Sequence, residues 1–301
     1  LFSNVGGDAL YPGDLDDSKT QICNALYGCG NGNLSASPGT SINIGGNVTQ
    51  SSGIRVEDAN QTLFPGVGGS ITNFGNVNIY GPNNYGIVVN GSSSIANIAS
   101  SVTFTSGPPF ILGNILTESN GIVNVQSDNS IGVIVKKGSF INDGKIITNG
   151  VNSLGLYANN GWIYSEYGNV GNFFARNTLI ETNGTDAHAV VLDRNKGISN
   201  GDTNSLIFNN QAVIRNKTEG TIGIYANGGA TFNHIWQEFF DPNESGQPSY
   251  LVPIATASLE SKIDSASGAI GIYVEGNSTQ GVVRAPIYVA GSTSTYTGIG
   301  V

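Results

Sequence analysis

The sequence predicts an all-β protein, a parallel β-helix (β-solenoid) in which short strands stack coil upon coil. Three observations predict it. The run Ile131-Gly132-Val133-Ile134-Val135 is followed by turns at Lys136-Lys137-Gly138, Asp143-Gly144 and Asn149-Gly150, and the pattern restarts 23 residues on at Leu154-Gly155-Leu156-Tyr157-Ala158. Three alternating runs split by Gly, Asn and Asp read as three strands and three corners, each set too small to bury its own apolar face. The same signature strand recurs at Tyr85-Gly86-Ile87-Val88-Val89, Ile222-Gly223-Ile224-Tyr225-Ala226 and Ile270-Gly271-Ile272-Tyr273-Val274, with His188-Ala189-Val190-Val191-Leu192 as a degenerate copy. Composition agrees: 43 Gly and only 11% charged residues call for many tight turns and neutral polar surfaces. The regular spacing of Ile, Val and Tyr excludes disorder, which would share the Gly and Ser but not the period.

Taken in order, residues 1–40 lack the repeat and read as an irregular N-terminal cap over an otherwise unpaired strand edge. Asp16-Asp17-Ser18-Lys19 could start a short helix running to Cys23 and Cys29. These two are the only cysteines, and their closeness reads as a small disulfide loop in an oxidising compartment, with free thiols as the other reading. Asp14 and Asp16 lack the spacing of a calcium loop, so no metal site is expected.

Residues 41–301 read as the parallel β-helix. The shared Gly stands at 86, 132, 155, 189 (as Ala), 223, 271 and 298. The step of 46 from Gly86 reads as two coils of 23, with a poorly marked one near Gly113, and the total as nine or ten coils. The longer later steps read as coils with corner insertions near 163–177, 194–210 and 235–261. Strand alternation assigns Ile131, Val133 and Val135 inward, stacked beneath Leu154, Leu156 and Ala158. It places the Gly column outside, beside Val88, Ile134, Tyr157, Val191, Tyr225 and Tyr273, with His188 inward as a core histidine. The repeat opening at Thr297-Gly298-Ile299 stops mid-strand, which reads as a piece of something longer or a coil that a partner completes.

Chemistry is sparse. A net charge of −9 with scattered Lys and Arg argues against nucleic acid, and no run approaches a membrane-spanning helix. No serine-protease, phosphate-loop or dinucleotide motif is present. Glycoside hydrolysis would need two carboxylates on one groove, but Glu181, Asp186, Asp193, Glu219, Asp264 and Glu275 mostly read as solvated corners. A strip of Asp with Lys and Arg, which a polysaccharide lyase would want, is not evident from the sequence. Asn-x-Ser/Thr triplets at Asn33, Asn47, Asn60, Asn90, Asn183, Asn216, Asn243 and Asn277 are about as frequent as this composition makes by chance. The 235–261 insertion gathers Trp236, Phe239, Phe240 and Tyr250 beside Glu238, Asp241 and Glu244, and loops on rigid scaffolds are where binding sits. These aromatics are the expected partner contact; the competing reading has them cover the outer apolar column.

The recurring Ile-Gly-Ile-Tyr-Ala-Asn-Gly, with Phe-Ile-Asn-Asp-Gly-Lys-Ile and Ile-Thr-Asn-Gly between copies, resembles the passenger domains of Gram-negative autotransporter (type V secreted) adhesins, over about residues 40–301. The resemblance implies a right-handed β-helix displayed on the bacterial surface or secreted. It implies a non-enzymatic adhesin that binds a host or bacterial surface protein or glycan, with no cofactor. A cysteine pair this close would make a loop small enough to cross an outer-membrane barrel. The proteolytic branch of that family carries a serine-protease domain absent from this chain, so no catalytic residue is carried over. The expectation is therefore an extracellular adhesin. A self-assembling filament or surface-layer subunit is the alternative, and a carbohydrate-active β-helix enzyme comes third.

Overall fold

The structure, a computed structural model, describes residues 41–57, 68–104, 115–165, 178–194, 206–235 and 261–290, apart from residues 48 and 74, together with five short strands. Those five are Asn33–Ala36, Phe2–Ser3, Ala9–Leu10, Asn169–Val170 and Phe173–Phe174. Among the described residues there is no helix: the protein is all-β, and its large sheets are parallel.

Three ladders carry the fold. The first runs through Ser52–Glu57, the start of Tyr85–Ile98, the start of Ile131–Asn142, Leu154–Ala158, His188–Asp193, Ile222–Asn227 and Ile270–Val274. The second runs through Asn33–Ala36, Ser70–Asn73, the ends of those same two long strands, then Gly161–Ser165, Leu206–Asn210, Thr231–His234 and Gln280–Val283. The third is an eight-stranded sheet through Ser41–Ile44, Asn76–Ile79, Ile122–Val125, Lys145–Thr148, Leu179–Thr182, Val213–Asn216, Lys262–Ser265 and Ile287–Val289. The chain visits second, third and first ladder in unbroken rotation, and every pairing within them is parallel. Eight strands at ~4.8 Å spacing make a sheet on the order of 34 Å long.

The core lies between the ladders. The first contributes Ile87, Val133, Leu156, Val190, Ile224 and Ile272; the third contributes Val77, Val123, Ile146, Ile180, Ile214 and Ile263. The second contributes Ala96, Phe140, Ile163, Phe208 and Phe232 in register. Because the strands pair residue for residue, each apolar side chain rests on the equivalent one above and below. Burying a large apolar side chain in this way is worth about 1.5–3 kcal/mol.

The signature strand differs from simple alternation in an informative way. Ile131 pairs with Leu154 and Val133 with Leu156, in the register the repeat predicts, but Ile131 and Leu154 are only half-buried. Gly132, taken as outward in the sequence, faces inward: a Cβ on it would lie 2.6 Å from the Gly155 carbonyl oxygen and 3.1 Å from Cγ2 of Ile146. The strand bends at this residue, so Gly132 and Val133 both turn toward the core, and the glycine lets the backbone approach the third ladder. The same holds at Gly223, whose Cβ would lie 2.4 Å from the Gly271 carbonyl oxygen. An earlier copy at Ser52-Gly53-Ile54 pairs with Tyr85-Gly86-Ile87, and the second ladder starts at Asn33, ahead of residue 41.

The step of 46 is one pass, not two: Ile131–Asn142 pairs directly with Tyr85–Ile98. The extra residues hold an antiparallel pair, Ser100–Phe104 with Ile115–Asn120. Gly161–Ser165 and Leu206–Asn210 are ladder strands, so the next two insertions fall between Ser165 and Leu179 and between Asp193 and Leu206. The former holds the antiparallel pair Asn169–Val170 with Phe173–Phe174; another small antiparallel pair joins Phe2–Ser3 to Ala9–Leu10. Among the described residues no ladder has more than eight strands, against the nine or ten coils expected of the chain.

Two corners have chemical rules. Between third and first ladder, Gln50, Asn83, Asn129, Asn152, Asp186, Gly220 and Gly268 all take positive φ, a position that Asn, Asp and Gly tolerate best. Small residues follow them, and on the first four passes these are polar and bond from pass to pass: the Ser51 amide donates to Asn84 Oδ1 (2.9 Å), the Asn84 amide to Ser130 Oγ (3.1 Å) and the Ser130 amide to Ser153 Oγ (3.1 Å). Between second and third ladder, a buried Asn writes a tight turn. Asn73 Oδ1 accepts from the Gly75 amide, Asn142 Oδ1 from the Gly144 amide and Asn210 Oδ1 from the Ala212 amide. On the intervening passes the equivalent residue is Ile98, Ser165 or His234, and there the chain leaves the ladder. Tight and interrupted passes alternate along this corner.

Candidate functional site

Trp236, Phe239, Phe240 and Tyr250, the expected partner contact, lie outside the described residues, as do Cys23, Cys29 and the segment proposed as a helix before them. What the structure places is their root. The insertion leaves the second ladder at His234 and rejoins the third at Lys262. His234 is fully buried, with Asn210 Nδ2 2.9 Å from its Nδ1. Burial pushes its pKa down to about 4, against hydrogen bonding to the Pro286 and Asn210 backbone. His188 sits half-buried at the outer start of its strand rather than in the core; the Ile222 amide donates to its Nδ1 at 3.3 Å. An accepting Nδ1 and partial burial both favour the neutral ring, and burial lowers its pKa.

The outer column of the first ladder is assembled in the expected register, Val88–Ile134–Tyr157–Val191–Tyr225–Tyr273. Val88, Ile134 and Val191 are buried yet stand apart from the core cluster, so this column is covered along its aliphatic part. It opens at its C-terminal end, where the rings of Tyr225 and Tyr273 stack with centroids 5.7 Å apart. Both hydroxyls donate to Glu275, that of Tyr273 at 3.2 Å. Desolvation and the Glu275 carboxylate push Tyr225 up to about 12, so this phenol is a donor at neutral pH and does not serve as a base.

The third ladder presents what the sequence did not reveal. Its outward column reads Asn43–Asn78–Asn124–Ile147–Glu181–Arg215–Asp264–Tyr288. The first half is neutral, with Asn78 donating to Asn43 (2.9 Å), Asn149 to Asn124 (3.3 Å) and Asn183 to Asn149 (2.9 Å). The second half is charged. Glu181 accepts from Arg215 Nη1 (3.1 Å), Lys217 Nζ (2.8 Å) and Asn183 (3.1 Å). Burial pushes the Glu181 carboxyl up, but these hydrogen bonds outweigh it and hold the pKa below the usual carboxylate range. Asp264 lies 3.1 Å from Lys262 Nζ and 3.9 Å from Arg215 Nε, and Lys262 Nζ stands 5.8 Å from the centre of the Tyr288 ring. Acids and cations do share one strip, contrary to the sequence reading. Residues 181, 215 and 264 are far apart in sequence, and only strand register shows that they coincide. The signal was present: aligned on the third-ladder strand, each is the third residue of its run.

Among the described residues no group of three or more His, Cys, Asp or Glu could hold a metal ion, and no helix is long and apolar enough to cross a membrane. Comparison with protein-family models, curated proteins and solved structures yields no match.

Proposed function

We propose that this chain is a right-handed, three-faced parallel β-helix that works as an extracellular, surface-displayed adhesin, of the kind its repeat resembles. The observation that carries the reading is the rotation of the chain through three parallel ladders with its interruptions set at corners. That arrangement gives a stiff rod on which loops are the variable parts. Non-enzymatic action is supported by the state of Glu181: three donors hold its carboxyl ionised, the opposite of the raised pKa a general acid needs. The partner is a host or bacterial surface protein or glycan, met through Trp236, Phe239, Phe240 and Tyr250 on the 235–261 insertion.

Deleting 237–258 across a short Gly linker tests this reading. Adhesion of coated beads to cells should be abolished while the thermal transition stays within a few degrees of wild type, since the insertion is one corner of one pass. Persistent adhesion would remove these aromatics from the site.

A second reading, an extracellular filament subunit, is favoured by one feature. The last described strand of the second ladder, Gln280–Val283, is exposed along its whole length, and Val274, Val282 and Val283 are 40–42% exposed at this end. At the opposite end Ile42, Ile54 and Val56 are buried. An open apolar edge is a template for pairing. Sedimentation velocity over a hundredfold concentration range separates the two readings: an adhesin stays monomeric, a filament subunit grows.

A further inference from the structure

We propose that the charged end of the third ladder is a binding subsite for an anionic saccharide, a sugar ring bearing a carboxylate or a sulfate. The inference rests on described residues alone, and neither on the adhesin reading nor on residues 236–260.

Geometry comes first. Arg215, Asn216, Lys217, Asp264, Ser265, Tyr288 and their neighbours line a shallow, open depression of about 430 Å³. The parallel register lays it along the rod, and the strand spacing is close to the advance per sugar of an extended pyranose chain. A polymer lying along this face would therefore meet equivalent positions on successive strands.

Charge comes second. In a chain with net charge −9 and 11% charged residues, this strip brings together three cations, Arg215, Lys217 and Lys262, against two carboxylates, Glu181 and Asp264. The patch thus has a local excess of positive charge on an acidic protein, which draws an anion to this face. The cations are positioned rather than loose. Glu181, only 9% exposed at its side chain, holds Arg215 and Lys217 in place, while those two remain 38% and 48% exposed. Arg215 gives Nη1 to Glu181 and leans Nε toward Asp264 at 3.9 Å, so its exposed guanidinium is oriented on this face. A guanidinium offers a planar fork of donors to an oxyanion, and the Lys217 ammonium beside it adds a second point of attachment.

The aromatic comes third. Tyr288 stands 52% exposed in the same column, one strand beyond Asp264, with the Lys262 ammonium near its ring. An exposed ring on a flat sheet supplies the apolar platform on which the C–H face of a sugar stacks, while the anion reaches Arg215 and Lys217. A simple inorganic anion would use the cations but not the ring, and a neutral glycan the ring but not the cations. The pairing of the two selects a charged sugar.

Titration of the full chain with three probes tests the proposal: a galacturonate oligomer for the carboxylate, a heparin-derived oligosaccharide for the sulfate, and neutral dextran. The wild type should bind one or both anionic probes and not dextran, and the stronger of the two identifies the anion. The double variant R215Q/K217Q should weaken binding about tenfold, and Tyr288→Ala, at the edge of the sheet where it cannot unseat the core, should do likewise. The pair K136Q/K137Q, with the same charge change at another corner, should leave affinity unaltered. Absence of binding to both anionic probes, equal binding of dextran, unchanged affinity in Tyr288→Ala, or an equal loss in K136Q/K137Q would each overturn the proposal.

Discussion

Single residues in this protein are constrained by their neighbours one pass above and below, more than by their neighbours in sequence. His234 shows how. Its ring occupies an interior position that Asn210 fills on the pass below, and the two bond side chain to side chain. A neutral imidazole fits there and a charged one does not. The folded-state pKa is about 4 against an ordinary 6.5, so the unfolded chain binds the proton more readily. The stability this contributes is fully present above pH 6.5 and is lost as pH falls from 6.5 toward 4, by on the order of 3 kcal/mol. Urea unfolding measured at pH 7 and pH 4 should show that loss, and His234→Asn, which keeps a partner for Asn210 but cannot titrate, should remove most of it. An equally steep acid loss in the variant would mean that other groups set the pH dependence. The glycines teach the same lesson in reverse. Alternation along the chain puts Gly132 and Gly223 outside, whereas contacts between passes put them inside, at bends that leave no room for a Cβ. Periodicity reports which residues are equivalent; it does not report where a strand bends.

At the scale of elements, what the sequence made legible is the signature strand and its register. Ile131 to Val135 pair with Leu154 to Ala158 as the repeat requires, and the outer column from Val88 to Tyr273 lines up without a slip. Less legible was the number of passes. A long step between copies can be two regular passes or one with an excursion, and spacing alone does not choose. The corner residue does: Asn73, Asn142 and Asn210 close tight turns, and where Ile98, Ser165 or His234 stands instead, the chain departs. That side chain lies inside, so its meaning is visible only once its amide partner two residues on is known. The charged strip was illegible for a related reason. Glu181 and Arg215 are ordinary corner-like residues when read along the chain, and become a cluster only when strands are laid side by side.

For the whole molecule, the alternation of tight and interrupted passes suggests a rule of spacing. The two described excursions from this corner that contain strands, after Ile98 and after Ser165, are antiparallel pairs. Such an arm is two strands wide, about 9.6 Å, which is the height of two passes. If each arm stands with its two strands stacked along the ladders, arms on every second pass fit side by side and arms on consecutive passes collide. It follows that the unit in which this chain can be shortened or lengthened is two passes, one bare and one armed. Removing residues 143–210, so that Asn142 joins Gln211, takes out one such unit and sets Phe140 beneath Phe232, Val133 beneath Ile224 and Val123 beneath Ile214. That truncated chain should fold and unfold in a single transition. Removing 143–165 alone keeps every ladder in register but sets two arms on adjacent passes, and its melting temperature should fall well below that of the larger deletion. In the vocabulary of gene editing, the reading frame of this architecture is not three nucleotides or one strand but a bare-and-armed pair, and length changes out of that frame are the ones the fold should refuse.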